Sequence, residues 1–227
     1  MATARAPRAG ALPWYQWVRP GALYFLGMIP AASTFYLGVT DQLGADPMKT
    51  LERTLGLWAL RFLIVGLAIT PLRRLTGVSL LRYRRAIGLL AFFYALLHLT
   101  TYLVLDQGLD LHAIWQDIVK RPFITVGMGA FLILVPLSAT SNNAVIRRIG
   151  GGLWTRIHRW VYLAAAAAAV HFVMVVKAWP AEPLIYASIV FLLLGYRLFV
   201  YLRPPAARSR GAARPAPASS QVGALSR

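Results

Sequence analysis

Three of the four histidines in this 227-residue chain lie within apolar stretches, where an ionisable side chain is costly and usually faces the interior of a helix bundle. His98 lies eight residues before Asp106, and His171 lies six residues before Lys177. On a helix that rises about 1.5 Å per residue, the two imidazoles lie about 12 and 9 Å from the polar ends of their segments. Two neutral imidazoles at one depth on two helices can bind an iron from opposite faces, which predicts a b-type haem.

Small residues precede both of these histidines. A glycine and two alanines share one helical stripe with His98, and six consecutive alanines at 164–169 come shortly before His171. A macrocycle between helices needs a face without bulky side chains, although ordinary helix packing also uses small residues. Packing alone does not explain a histidine at the end of each stripe, so the pattern favours haem.

The remaining histidines are less specific. His158 lies 13 residues before His171, beside Arg156 and Arg159 at the other end of the same apolar segment. Its position is compatible both with an interface residue and with a ligand of an inner cofactor. His112 lies in a polar loop, where a solvated side chain is expected.

Arg61 lies ten residues into the second apolar run, too near its middle for an easy reach to water. A buried arginine needs an anionic partner, and no acidic residue shares its depth in any apolar run. A carboxylate of a bound haem is therefore the predicted partner, with snorkelling of the side chain as the alternative.

The composition indicates the elements that must position these residues. Hydrophobic residues make up 58% of the chain and charged residues only 14%, with a formal net charge of +17. Because the basic residues lie in short clusters between apolar runs of about 20 residues, the chain is predicted to be a membrane protein and not a nucleic-acid-binding one. The absence of cysteine excludes disulfides, iron–sulfur clusters and covalently attached haem.

The predicted fold is all-α, a polytopic bundle of six transmembrane helices. A helical bilayer crossing needs roughly 20 apolar residues, and each run meets that length. The first run is predicted to be a retained helix and not a cleaved signal peptide. The predicted spans are Gly21–Thr40, Leu51–Leu72, Ala86–Leu105, Pro122–Thr140, Ile157–Val176 and Leu184–Leu202.

The distribution of charge predicts the orientation. Of the 24 Lys and Arg residues, 18 fall on the side that holds both termini, five fall on the other side with all seven acidic residues, and Arg61 lies within a span. The positive-inside rule therefore places both termini in the cytoplasm. Residues 1–20 are predicted to form a cytoplasmic segment, 21–202 the membrane domain, and 203–227 a disordered basic cytoplasmic tail. Residues 109–121 are predicted to form an interfacial helix on the outer side.

Longer motifs resemble a known family. They are LWALRF at 57–62, TPLRRLTG at 70–77, RRAIGLLAFFYALLH at 84–98, RPFITVGMGAFLILVPLSATS at 121–141 and WTRIHRWVYLAAAAAAVHF at 154–172. In this order, over about residues 19–201, they resemble the MsrQ (YedZ) family of haem-binding membrane subunits of bacterial protein-methionine-sulfoxide reductase systems. That family belongs to the ferric-reductase-like transmembrane superfamily.

The resemblance implies an electron carrier of the bacterial inner membrane. A protein of this family passes electrons through haem b to a periplasmic molybdopterin-containing methionine sulfoxide reductase, which repairs oxidised envelope proteins. The catalytic reduction would then occur in the partner. The quinone pool is the described electron source, and FMN is also attributed to the family. Carried over to this chain, the haem ligands would be His98 and His171, with His158 a further ligand or an inner-site residue.

The chain also departs from the wider superfamily. Ferric reductases and NADPH oxidases place two histidines on each of two helices, whereas the third span here carries only His98. A complete second bis-histidine site is therefore not expected. We also expect the 25-residue tail to lack room for a flavin domain, so that electrons arrive from quinol or from a separate flavoprotein.

Two partner regions and two alternatives follow from the sequence. The outer segment 106–121 is the candidate docking region, and the inner edge around Arg84, Arg85, Trp154 and His158 is the candidate donor site.

Two alternative functions stay open. One is a b-type cytochrome that serves another acceptor, such as ferric iron. A non-redox membrane scaffold or transporter, whose histidines only pack or bind a metal, is the alternative from a different class.

Overall fold

A computed structural model describes residues 19–176, 178 and 180–202 of the chain. Every regular element in these residues is helical, which confirms the predicted all-α fold. The helices are α1 (Pro20–Val39), α2 (Pro47–Thr76), α3 (Arg84–Thr100), α4 (Leu111–Lys120), α5 (Pro122–Ala139), α6 (Asn143–Ile149), α7 (Gly151–His158), α8 (Val161–Val175) and α9 (Ala181–Leu202). Of the predicted terminal segments 1–20 and 203–227, only Arg19 and Pro20 are among the described residues. Lys177 also lies outside the described residues.

Six stretches of helix in the described residues are long and apolar enough to cross a membrane, in agreement with the predicted number. Two of them are composite. A 3-10 turn at Leu81–Tyr83 leads into α3, which continues into a π-helical turn at Thr101–Asp106. The fifth span joins α7 to α8 and begins at Gly151, six residues earlier than predicted from hydropathy.

Helix α2 is the longest element, and its ends follow from local chemistry. The Asp46 side chain accepts a hydrogen bond from the backbone N–H of Lys49, and Pro47 occupies the first helical position. At the other end Gly77 adopts a φ of 75°, a left-handed conformation that favours glycine and ends the helix. These caps explain why the helix extends beyond the predicted Leu51–Leu72 on both sides.

The helices pack chiefly as the pairs α2–α3, α5–α8 and α8–α9, with α2 also contacting α1, α8 and α9. One core cluster joins α2, α8 and α9 through Leu60, Leu67, Ala165, Ala169, Ala187 and Val190. Ala164 enters a second cluster with residues of α2, α3 and α5. The fully buried alanines therefore let α8 approach its neighbours closely. Gly88, the glycine of the stripe that ends at His98, does not have this role, because a Cβ added there would meet nothing within 4 Å.

Tyr94 of α3 holds α1 in place. Its side chain is fully buried, and its hydroxyl donates to the Gly27 carbonyl and accepts the Ala31 N–H at 2.7 and 2.9 Å. These two backbone groups are four residues apart and would pair directly in a regular helix. The hydroxyl therefore bridges two backbone groups of one turn of α1. Leu90 packs against Gly27, where a Cβ would overlap with it.

Arg197 joins α9 to two other helices. Its guanidinium donates to the Tyr162 hydroxyl and to the Leu67 carbonyl, both at 2.7 Å, and to the Thr70 hydroxyl at 3.2 Å. The charge of this half-buried arginine is thus solvated by oxygen atoms of the protein itself.

Candidate functional site

His98 and His171 lie next to each other. His98 is in the last turn of α3, just before the π-helical turn, and His171 is in α8. The centroids of the two imidazole rings are 6.2 Å apart, and the ring planes are inclined at 71°. The structure therefore brings together the two histidines that the sequence pairs by depth.

Each imidazole is anchored by a backbone carbonyl of a neighbouring helix. The His98 Nδ1 lies 2.9 Å from the Glu52 carbonyl oxygen of α2, and the His171 Nδ1 lies 2.7 Å from the Phe123 carbonyl oxygen of α5. Because a carbonyl oxygen only accepts, each Nδ1 must carry the proton. The neutral ring then presents an unprotonated Nε2, which is the atom that a metal binds.

Two glycines lie against these rings. A Cβ built on Gly56 of α2 would be 3.0 Å from the His98 Nδ1, and one built on Gly127 of α5 would be 2.8 Å from the His171 Nδ1. Each glycine is four residues after the residue whose carbonyl holds the ring. Neither glycine is predicted from the sequence, and no spacing within α2 or α5 could have indicated them, because their partners lie on other helices.

The donor set fits an iron held between two imidazoles. A metal–imidazole bond is about 2 Å long, so two Nε2 atoms on opposite sides of one metal place their ring centroids roughly 6 Å apart. The observed 6.2 Å agrees with that separation. Among the described residues, no group of three or more His, Cys, Asp or Glu side chains could hold a metal ion. Two axial imidazoles around a macrocycle-bound iron therefore suit these residues better than a metal held by protein ligands alone.

Arg61 lies in a largely aromatic environment. Its Nε donates to the Tyr186 hydroxyl at 2.8 Å, and its guanidinium lies 4.8 Å from the centroid of Trp58 and 5.7 Å from that of Tyr186. Within the described residues, no carboxylate forms an ion pair with it. Tyr186 was not anticipated, since it lies 125 residues away in the chain.

His158 lies apart from this pair, at the end of α7. Its Nδ1 is 3.0 Å from the Trp154 carbonyl and its Nε2 is 3.2 Å from the Ser141 hydroxyl, and the ring stacks on Trp154 at 3.9 Å. Both ring nitrogens of His158 thus have partners, whereas among the described residues only Nδ1 has a hydrogen-bond partner in His98 and in His171. Nearby, Arg85 donates to the Asn143 side chain at 2.7 Å.

His112 lies on the exposed face of α4. Its Nε2 is 2.7 Å from the side-chain amide nitrogen of Gln116, one turn further along the helix. The helix also exposes Leu111, Trp115 and Val119 on one face while Ile114 is buried. The predicted amphipathic segment is therefore helical, and its histidine takes no part in the imidazole pair.

Comparison with known proteins identifies the family. The model of the family described as ferric reductase like transmembrane component matches residues 55–169. The chain is also 59% identical, over 212 residues, to the protein-methionine-sulfoxide reductase heme-binding subunit MsrQ of Brucella ovis, with 92% of this chain and 93% of the relative covered. The proteins of the same description from Brucella canis and Brucella abortus match to the same extent. The chain belongs to the MsrQ family.

This confirms the MsrQ resemblance that the sequence motifs indicate. His98 and His158 lie within the ferric-reductase-like match, and His171 follows its last residue by two positions. One histidine of the pair, His98, therefore lies inside the matched segment, and the other, His171, lies just beyond its end.

Proposed function

We propose that this chain is a haem b-binding electron-transfer subunit in which His98 and His171 would hold the iron of one haem. The observation that carries the proposal is the imidazole pair at 6.2 Å, in which each Nδ1–H is bound to a carbonyl and each Nε2 is available. The printed description of the relatives as heme-binding subunits supports the same cofactor. When bound, the haem supplies a one-electron couple.

The residues of the chain would prepare that couple in three ways. The imidazoles of α3 and α8 would hold the iron from two helices. The carbonyls of Glu52 and Phe123 keep each ring in the tautomer whose Nε2 is unprotonated. Leu55 and Tyr94, both fully buried beside this end of α3, exclude water.

Arg61 would bind a haem carboxylate. Only its Nε has a hydrogen-bond partner among the described residues, so its two terminal nitrogens are free to bind an anion. The aromatic faces of Trp58 and Tyr186 support the cation but do not neutralise its charge. A propionate would satisfy it.

The electron path would run from the cytoplasmic to the periplasmic side of the bacterial inner membrane. We assign the donor, a quinol or an FMN-dependent flavoprotein, to the inner end around Arg84, Arg85, Trp154 and His158, where cationic and aromatic groups lie close together. The acceptor would be a periplasmic molybdopterin-containing methionine sulfoxide reductase subunit, and the reduction of methionine sulfoxide would occur there. The relatives' description as subunits of a protein-methionine-sulfoxide reductase supports this acceptor.

The test is a dithionite-reduced minus air-oxidised absorption spectrum of the purified protein, with haem quantified as its pyridine complex. We expect a sharp b-type α-band that is lost in His98→Ala and in His171→Ala. His112→Ala is the matched control, because this exposed histidine has no contact with the pair. Normal haem content in either variant of the pair would remove that residue from the ligand assignment.

The same preparation separates the remaining functions. Colourless protein from cells with ample haem would indicate a scaffold or transporter instead of an electron carrier. A haem that is reduced by quinol but not reoxidised by the methionine sulfoxide reductase subunit would indicate another acceptor, such as ferric iron. His158→Ala should keep the α-band of the His98–His171 haem and slow its reduction by a quinol analogue, because His158 lies in the proposed donor site.

A further inference from the structure

Each histidine of the pair contacts a backbone carbonyl and a glycine of one neighbouring helix, and the two contacts are arranged in the same way. We call the carbonyl and the glycine together the cradle of that histidine. On α2, the Glu52 carbonyl accepts the His98 Nδ1–H, and Gly56, one turn later, lies against the same ring. On α5, the Phe123 carbonyl and Gly127 do the same for His171. In a regular helix the carbonyl also accepts the N–H of the residue four positions on, which is the glycine itself.

The space at these glycines is needed by the histidine rings. A Cβ at Gly127 would lie 2.8 Å from Nδ1 and 2.9 Å from Cε1 of His171, so the ring would have to shift. At Gly56 the corresponding distances to His98 are 3.0 and 3.2 Å, which is a milder overlap. A ring that moves away from the Cβ also moves away from the carbonyl behind it, and the bond that fixes its tautomer is weakened.

Resting on the proposed haem site, we propose that Gly56 and Gly127 are positioning residues for the haem ligands. Each glycine lets its helix approach close enough for a backbone carbonyl to hold the Nδ1–H of the ligand on the facing helix. The glycines touch no reacting atom. They set the orientation of the two imidazoles, and the α5 cradle tolerates added volume less than the α2 cradle.

The chain provides a matched control on each helix. A Cβ at Gly66 of α2 would meet only Ile87 at an ordinary 3.7 Å, and one at Gly129 of α5 would meet nothing within 4 Å. Replacing a helical glycine by alanine otherwise favours the helix. A loss seen at Gly56 or Gly127 but not at the controls therefore reports the contact with the histidine ring.

The experiment compares Gly56→Ala, Gly127→Ala, Gly66→Ala and Gly129→Ala with the unchanged protein. The readouts are haem content, the low-spin electron paramagnetic resonance signal of the oxidised haem, and the midpoint potential. We expect Gly127→Ala to retain haem about tenfold less tightly, as for the loss of other partners that orient metal ligands, and to shift the low-spin signal. Gly56→Ala should lower haem retention and shift the low-spin signal in the same direction, but by smaller amounts. The two control variants should match the unchanged protein.

Unchanged haem retention, signal and potential in Gly127→Ala would overturn the inference, as would equal losses in the control variants. If Gly127→Ala does not accumulate, the comparison of Gly56→Ala with Gly66→Ala decides. A lower haem retention or a shifted signal in Gly56→Ala alone supports the inference, and equal values in the two variants overturn it. Failure of the proposed function gives a separate result, because the unchanged protein would then lack haem or His98→Ala and His171→Ala would retain it.

Discussion

Replacing Tyr94 with phenylalanine removes the one oxygen atom that joins α3 to the backbone of α1. The hydroxyl forms hydrogen bonds of 2.7 Å to the Gly27 carbonyl and 2.9 Å to the Ala31 N–H, and the side chain is 0% exposed. A buried polar group left without its partner costs about 1–3 kcal/mol. Two such groups remain, but they are four residues apart in one helix and can pair with each other, which offsets part of the loss. We therefore expect the free energy of unfolding to fall by about 1–3 kcal/mol.

The assay is thermal unfolding of the purified protein in detergent. For a chain of this size, that loss corresponds to an apparent Tm lowered by roughly 2–10 °C. Tyr36→Phe is the control, because Tyr36 lies on α1, the helix that Tyr94 contacts, and is 66% exposed. A Tm of Tyr94→Phe equal to that of the control would refute the argument that the hydroxyl stabilises the contact between α3 and the backbone of α1.

Three further outcomes follow from the structure. Arg61→Leu should make the midpoint potential of the haem more negative, because a nearby cation favours the reduced iron, and an unchanged redox titration would contradict the propionate assignment. Because the chain has no cysteine, His112→Cys should react with an impermeant maleimide in spheroplasts while Ala144→Cys should not, and the reverse pattern would contradict the proposed orientation. A nitroxide attached to Trp115→Cys should report headgroup depth if α4 lies in the membrane interface, whereas full exposure to water would contradict it.

The span number and the histidine pair could be predicted because both depend on local sequence. A run of about 20 apolar residues can satisfy its backbone only as a helix within lipid, so hydropathy fixes the number of spans. Depth along a helix follows from a constant rise per residue, which is why His98 and His171 could be matched. The boundaries were less accurate. The caps of α2 lie beyond its apolar stretch, and α7 adds polar turns to the fifth span.

The surroundings of Arg61 could not be predicted, because they depend on which helices become neighbours. The sequence shows a cation without an acid at its depth, and an anionic ligand is one solution to that problem. The structure supplies another part of the solution, a phenol and two aromatic faces from α2 and α9. A tyrosine in the second turn of an apolar helix gives no local signal that it solvates an arginine 125 residues away.

The histidine cradles show what kind of information the sequence lacks. Glu52 and Gly56, like Phe123 and Gly127, are four residues apart, but this spacing has no meaning until α3 and α8 place an imidazole against each pair. The two cradles occur in the helix pairs α2–α3 and α5–α8, which are also the most closely packed. Close packing and ligand orientation therefore have one cause, since the approach that a missing Cβ permits is the same approach that brings the carbonyl to Nδ1. In this bundle the tautomer of each candidate ligand is set by the backbone of the neighbouring helix, and no side-chain motif needs to encode it.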